Sequence, residues 1–238
     1  MARRELQEIN AGSMADIAFL LLIFFLVTTT MEVDAGIGRT LPLKRDLPEN
    51  YVPPEIRERD ILDISCNSND QLLVEGKIIP IEELEDIVID FYTINKNGVR
   101  DEHMPYYVNV TTTKCQSKIA ELQPLVDENP DEQFYKDELE DWQTKLQLCQ
   151  DLPTGQYDEM AKSAVIRLKN QAGTSYGLYI QIQNILKKVV NDLRVETCDE
   201  IWGRDYFSLD ETSDKDQEII KKLRILVPER IIEAKIDR

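Results

Sequence analysis

The sequence predicts a single N-terminal transmembrane helix followed by a small α+β periplasmic domain, in which a sheet packs on helices and which contains an inserted helical hairpin. Three observations support this fold class. One long apolar run lies near the N-terminus of a chain of 238 residues that is otherwise rich in charge. Strand and helix patterns then occur in two separate blocks. A polar segment with helical spacing divides the two blocks.

The apolar run covers residues 14–31 and contains one charged residue, Asp16. As an α-helix it extends about 27 Å, just enough to cross the hydrocarbon core of a bilayer. A cleaved signal peptide is the alternative, with Arg3 and Arg4 as its basic start and residues 33–35 as a weak cleavage site. Two nearby glutamates offset the positive charge of these arginines. The carboxylate of Asp16 at the start of the apolar run also favours a membrane anchor that is retained.

The topology follows from the short N-terminal tail, residues 1–13. Arg3 and Arg4 lie close to the apolar run, so the positive-inside rule places this tail in the cytoplasm and everything after about residue 32 outside it. All the cysteines lie in the exported part: Cys66, Cys115, Cys149 and Cys198. An even number of cysteines is typical of disulfides in an oxidising compartment.

Composition and motifs exclude several function classes. The chain has 45 acidic and 28 basic residues and a net charge of −17, which argues against nucleic acid as a partner. No nucleophile elbow, Walker A or Rossmann fingerprint is present, and we therefore predict that the protein is not an enzyme. A metal site is not indicated, since no two cysteines are close in sequence and the single histidine, His103, is far from any CxxC pattern.

Asp16 allows two interpretations, because a carboxylate inside a bilayer is costly unless it is paired, neutralised or hydrated. It could simply mark the helix start, where a negative charge suits the helix dipole. Helical spacing favours a functional role for Asp16, since it shares one face of the predicted helix with Leu20, Ile23 and Val27. A lone helix cannot shield this carboxylate, so a function requires a partner that lines it with polar, water-accessible groups.

The exported part begins with residues 32–59, whose prolines and weak periodicity are typical of an extended linker. The first block, residues 60–94, is predicted as two strands, 60–65 and 71–75, followed by a helix that begins at Ile81. The second block, residues 163–238, adds four elements: a strand at 164–169, a helix over 178–193, a strand at 194–198 and a last helix capped by Ser213.

Residues 95–162 separate the two blocks and are predicted as an insertion. A short strand at 106–110 precedes two polar helices, 116–127 and 132–150, which form an antiparallel hairpin. Cys115 and Cys149 fall at the open end of this hairpin, so we predict a disulfide between them. The remaining cysteines, Cys66 and Cys198, would then join two strands, which is one of three possible pairings.

The segment Asn10–Ile17, NAGSMADI, followed by the apolar run, resembles the N-terminus of the ExbD/TolR family of biopolymer-transport proteins. Asp16 takes the place of the invariant membrane aspartate of that family, while Ser13 stands near a position where many members have proline. Ile37–Pro42, IGRTLP, resembles the alternating segment that follows the span in ExbD, although Arg39 replaces an apolar residue there.

The resemblance implies a subunit of a proton-driven ExbB/ExbD motor that energises TonB-dependent outer-membrane transport. Asp16 would carry the proton, with no cofactor beyond protons, in the inner membrane of a Gram-negative bacterium. Its implied partners are a pentameric ExbB-like pore protein, a TonB-like protein and a second copy of itself in a dimer. The residues expected to contact partners are Leu20, Ile23, Val27, Ile37, Leu41 and Pro42.

Two other functions remain open. A TolR-like, gliding or secretion motor subunit would use the same membrane chemistry on a cell-envelope partner, and the insertion at 95–162 provides surface for such a partner. An exported adaptor domain that is merely anchored, or released by cleavage, would make Asp16 incidental.

Overall fold

The computed structural model describes residues 11–29, 56–96 and 100–234 of the chain. It divides into two units, Met1–Arg45 and Asp46–Arg238. In the first unit the described residues form one helix, α1 (Ala11–Thr29). None of the helices within the described ranges reaches the length and hydropathy of a membrane span. The transmembrane helix over residues 14–31 therefore stays a prediction.

The second unit is built on a mixed five-stranded sheet. Its strands are β1 (Ile61–Cys66), β2 (Leu72–Val74), β3 (Lys77–Ile79), β6 (Val165–Asn170) and β7 (Ile231–Ala234). They lie in the order β3-β2-β1-β6-β7. The first block supplies the antiparallel half, and β6 joins β1 in parallel, from Ile61 opposite Val165 to Cys66 opposite Asn170. The two separated blocks therefore complete one sheet, as predicted.

Alternation along the central strands divides the sheet into two faces. Leu62, Ile64, Ile166 and Leu168 are buried on one face. On the other face Asp63 forms ion pairs with Arg167 at 2.7 Å and with Lys169 at 2.9 Å. Period-two patterning thus determines which side of β1 and β6 contacts the core.

Three helices accompany the sheet: α2 (Leu84–Thr93), α5 (Tyr176–Trp202) and α6 (Asp214–Leu226). Leu84 and Val88 of α2 and Leu186 and Val189 of α5 belong to the same hydrophobic cluster as the buried strand residues. Single turns of 3₁₀-helix occur at Glu58–Asp60, Ile81–Glu83 and Tyr206–Ser208. The result is an α+β fold with a sheet packed on helices, which confirms that part of the fold class.

Residues 194–198 correct a prediction, because they are helical and not a strand. The buried stripe of α5 continues through Val190, Arg194, Thr197 and Cys198 at helical spacing. Arg194 is anchored there, since its Nε donates to the carbonyl of Val227 at 3.1 Å. The helix ends at Gly203, whose left-handed conformation (φ 60°) provides the C-cap.

The predicted insertion contains the helical hairpin, formed by α3 (Thr112–Glu128) and α4 (Gln133–Asp151), which pack on each other. The flanking strands β4 (Tyr107–Thr111) and β5 (Gln156–Met160) pair as a separate antiparallel ribbon. The short strand β4 was predicted, whereas β3, β5 and β7 were not. Buried residues of this segment share the hydrophobic cluster of the main sheet, so the insertion and the core fold as one body.

Candidate functional site

The helix α1 places Asp16 in its second turn with an exposed side chain. Leu20 and Ile23 follow on the same face and are 60% and 44% exposed. Val27 also lies on α1, but its side chain is outside the part of the chain that the structure describes. The predicted contact residues Ile37, Leu41 and Pro42 also lie outside the described residues.

The described side chains of α1 leave large apolar groups exposed all around the helix. The large apolar residues from Met14 to Phe25 are 44–61% exposed. A helix with this much exposed apolar surface is typically covered, either by lipid or by other protein. Within that apolar surface Asp16 is the one ionisable group, which makes it the chemically distinct position of the helix.

All four cysteines are buried free thiols in the structure, so neither predicted disulfide is present. Cys115 lies in the first turn of α3 and Cys149 in the last turn of α4, and both side chains are buried. Cys149 Sγ also lies 3.7 Å from the carbonyl oxygen of Val110. Burial raises the pKa of both thiols, that of Cys149 to about 12.

The pairing of Cys66 with Cys198 was wrong on geometric grounds. Thr174 donates its hydroxyl hydrogen to the carbonyl of Cys66 at 3.3 Å, so Cys66 lies beside the start of α5. Cys198 lies six turns further along that helix, about 33 Å away at the rise of an α-helix. Since a disulfide requires Cα atoms roughly 4.4–6.8 Å apart, this pair cannot form one.

A buried ionic cluster holds α4 against β5. The Lys145 side chain is 2% exposed, and its Nζ lies 2.9 Å from Glu159 and 3.1 Å from Asp141. The ammonium also lies 4.7 Å from the centre of the Trp142 ring. Burial alone would lower the pKa of Lys145, but the two carboxylates raise it. Nothing in the sequence indicated this cluster, because a lysine in a polar helix resembles a surface residue.

An apolar groove of ≈ 380 Å³ lies beside the edge strand β3. Ile78 on this strand is 63% exposed. The groove is lined by Asp70, Gln71, Leu72, Ile78, Ile79, Pro80, Ile81 and Leu178. No sequence pattern indicated this groove, because its lining includes residues of four elements: β2, β3, the 3₁₀ turn at Ile81–Glu83 and α5. Among the residues that the structure describes, no group of histidine, cysteine and carboxylate side chains could hold a metal ion.

A family model described as biopolymer transport protein ExbD/TolR matches residues 2–114 of the chain. The match includes Asp16 and the apolar run, and it ends in the first turn of α3. Comparison with curated proteins and with solved structures gives no match. Residues 2–114 of this chain are therefore similar to the ExbD/TolR family of biopolymer transport proteins.

Proposed function

We propose that the chain is the proton-carrying, single-pass subunit of an inner-membrane motor, with Asp16 as its proton-binding group. Similarity to the ExbD/TolR family over residues 2–114 supports a subunit of a biopolymer-transport energising complex, with partners of the ExbB/TolQ and TonB/TolA class. The observation that carries the finer proposal is the position of Asp16, the one charge of an apolar helix inside the family match.

Membrane insertion of residues 14–31 would cover the apolar side chains of α1. Each fully buried side chain of the size of leucine or phenylalanine gains roughly 1.5–3 kcal/mol. Ionised Asp16 opposes insertion by about 2.5–3.5 kcal/mol at the centre of a span, and by less near an end. The nine exposed large apolar residues of α1 therefore outweigh the one carboxylate. The tail of residues 1–13 would remain in the cytoplasm and the α+β domain would lie in the periplasm.

Proton binding requires a lining for Asp16 that α1 does not supply. The face of Asp16, Leu20 and Ile23 would lie against an ExbB-like pore protein, which would provide water and polar groups. A carboxylate there is neutral when protonated and charged when not, so the membrane potential acts on only one of its states. That difference is worth about 2.3 kcal/mol per charge per 100 mV, enough to bias a two-state movement. Two copies of the chain and a TonB-like protein would pass the movement to the outer membrane.

The test is Asp16→Asn, which keeps the shape of the side chain and removes its titration. We expect normal insertion and co-purification of a multi-span partner, together with loss of energised uptake. Asp34→Asn is the matched control, since it removes a carboxylate just beyond the predicted span, and uptake should persist. Undiminished uptake by the Asp16→Asn protein would refute the proton-carrying role.

A TolR-like, gliding or secretion motor is the second candidate, favoured by the helical hairpin of α3 and α4. Its polar helices add surface to the domain, and added surface suits a different envelope partner. Cross-linking in intact cells separates the candidates, because a TonB-like adduct supports the first and a cell-wall or Tol-type adduct supports the second. Mass spectrometry of the mature N-terminus tests the adaptor alternative, since cleavage near Ala35 would remove Asp16.

A further inference from the structure

We propose that residues 56–60, where the predicted linker enters β1, form a clamp on the base of the α3–α4 hairpin, so that movement of the linker reaches the hairpin through the β4–β5 ribbon. This inference rests on the proposed function, because a clamp passes on movement only if the linker moves. The contacts that form the clamp lie among the described residues of the second unit, and they can be tested without that function.

The first contact of the clamp places two arginines on one aromatic ring. The guanidinium carbons of Arg57 and Arg59 lie 5.9 Å and 5.2 Å from the centre of the Tyr106 ring. A guanidinium within about 6 Å of a ring centre is attracted by the negative face of the ring. Tyr106 directly precedes β4, so this contact joins the entry of the chain into the domain to the start of the ribbon.

The second contact attaches the same segment to the chain that leaves the ribbon. Asp60 is 0% exposed, and its Oδ2 accepts a hydrogen bond from the Ser163 hydroxyl at 2.5 Å. Ser163 follows the end of β5 by three residues. Because Asp60 is buried, breaking this bond would leave its oxygen with neither the hydroxyl nor solvent. One short segment therefore contacts both ends of the ribbon.

The ribbon itself is closed at the clamp and paired along its length. Ala161 donates its N–H to the carbonyl of Tyr106 at 3.0 Å. From there β4 and β5 pair over their full lengths, up to Thr111 opposite Gln156. Since every residue of β4 has a partner on β5, the two strands move together and the ribbon extends from the clamp to the hairpin as one unit.

The far end of the ribbon is attached to both helices of the hairpin. Strand β4 continues directly into α3, whose first residue, Thr112, donates its N–H to the carbonyl of Gly155 at 3.2 Å. On β5, Glu159 pairs with Lys145 of α4 across 2.9 Å in the buried cluster described above. Each step from the clamp through the ribbon to the hairpin is therefore held by a contact between described residues.

The test is Tyr106→Leu, which removes the ring and keeps an apolar side chain at a position that is 39% exposed. Hydrogen exchange of the full chain in detergent, followed by mass spectrometry, measures the clamp at the amides of Asp60 and Ile61, which donate to carbonyls of residues 57 and 58. These amides should exchange roughly five- to tenfold faster, because two guanidinium–ring contacts are lost. The amide of Ala161 should keep its rate, since its bond to residue 106 is made by the backbone.

Tyr106→Phe is the matched control, because it retains the ring and should exchange at the rate of the unaltered chain. Unchanged exchange at Asp60 and Ile61 in the Tyr106→Leu protein would overturn the clamp. Equal acceleration at Ala161 would also overturn it, since that result would show that the ribbon itself opens.

Energised uptake tests whether the clamp passes movement on. The Tyr106→Leu protein should still co-purify with a multi-span partner and lose most of its uptake, whereas Tyr106→Phe should retain uptake. Full uptake by a Tyr106→Leu protein whose exchange is accelerated would overturn the coupling. Failure of the proposed function is distinguishable, because it gives undiminished uptake by Asp16→Asn and leaves the exchange rates at residues 56–60 as they were.

Discussion

Replacing Lys145 by methionine is the sharpest test of how the α3–α4 hairpin is attached to the domain. Methionine keeps most of the length of the side chain and its contact with Trp142, and it removes the charge. Glu159 would then be left as a carboxylate whose side chain is 12% exposed, without the ammonium at 2.9 Å. Asp141 loses the same partner, but its side chain is 34% exposed and water can compensate.

Removing one partner of a buried ion pair costs about 3–5 kcal/mol, because the other charge stays buried. We expect the lower end of that range for Lys145→Met, since two carboxylates share the ammonium and one of them reaches water. For a domain of this size, 1 kcal/mol corresponds to roughly 2–4 °C, so Tm should fall by roughly 6–12 °C. Thermal unfolding followed by far-UV circular dichroism, on the full chain in detergent, measures this change.

A double-mutant cycle separates the ion pair from general packing. Glu159→Met combined with Lys145→Met removes both charges, and this double variant should recover most of the loss, since apolar replacement of a buried pair is often nearly neutral. Lys118→Met on α3 is the matched control, because Lys118 is 44% exposed in its ion pair with Glu121 and should change stability by less than about 0.5 kcal/mol. A Lys145→Met protein within about 1 kcal/mol of the parent, or a double variant no more stable than the single ones, would refute the reasoning.

Two further predictions concern the sheet and the end of α5. Although burial opposes it, hydrogen bonds from Arg167 and Lys169 lower the pKa of Asp63, so this carboxylate stabilises the fold above about pH 4 and stops doing so as the pH falls further. Urea titrations at several pH values should show a steeper acid loss of stability for the parent than for Asp63→Asn, and parallel curves would contradict this. Gly203→Ala should cost about 1 kcal/mol in urea unfolding, because φ is +60° and only strain, not a clash, opposes the new methyl group. Gly177→Ala, inside the same helix with room for a Cβ, should be neutral or stabilising; equal losses for both would argue against strain at the C-cap.

Elements with a strong pattern of their own were predictable. The alternation of β1 and β6 and the helical spacing of α2 and α6 led to correct elements, because the period of the buried residues specifies the element. Strands of three to five residues were harder to predict from the sequence. Both β3 and β5 carry too little pattern, and they form because a neighbouring strand pairs with them.

The error at residues 194–198 has a related cause. Five residues that alternate can also lie on a helix, and the contact that decides between the two, Arg194 with the carbonyl of Val227, joins residues 33 positions apart. The Cys66–Cys198 pairing failed for the same reason, since the wrong element placed Cys198 on a strand instead of far along α5. Lys145 was missed because its burial depends on β5, which was also missed.

The local sequence was sufficient to predict the apolar helix with its one carboxylate and the resemblance to the ExbD/TolR family. It was also sufficient to predict the split α+β domain with a helical hairpin between its halves. Folding in three dimensions decided that all four cysteines are buried as free thiols, which lysine is buried and where the sheet ends. The physical reason is the distance along the chain between the residues that interact. Periodicity and a charge in an apolar run are properties of neighbours along the chain, whereas the contact of Cys149 with Val110 and that of Lys145 with Glu159 exist only after distant elements have packed together.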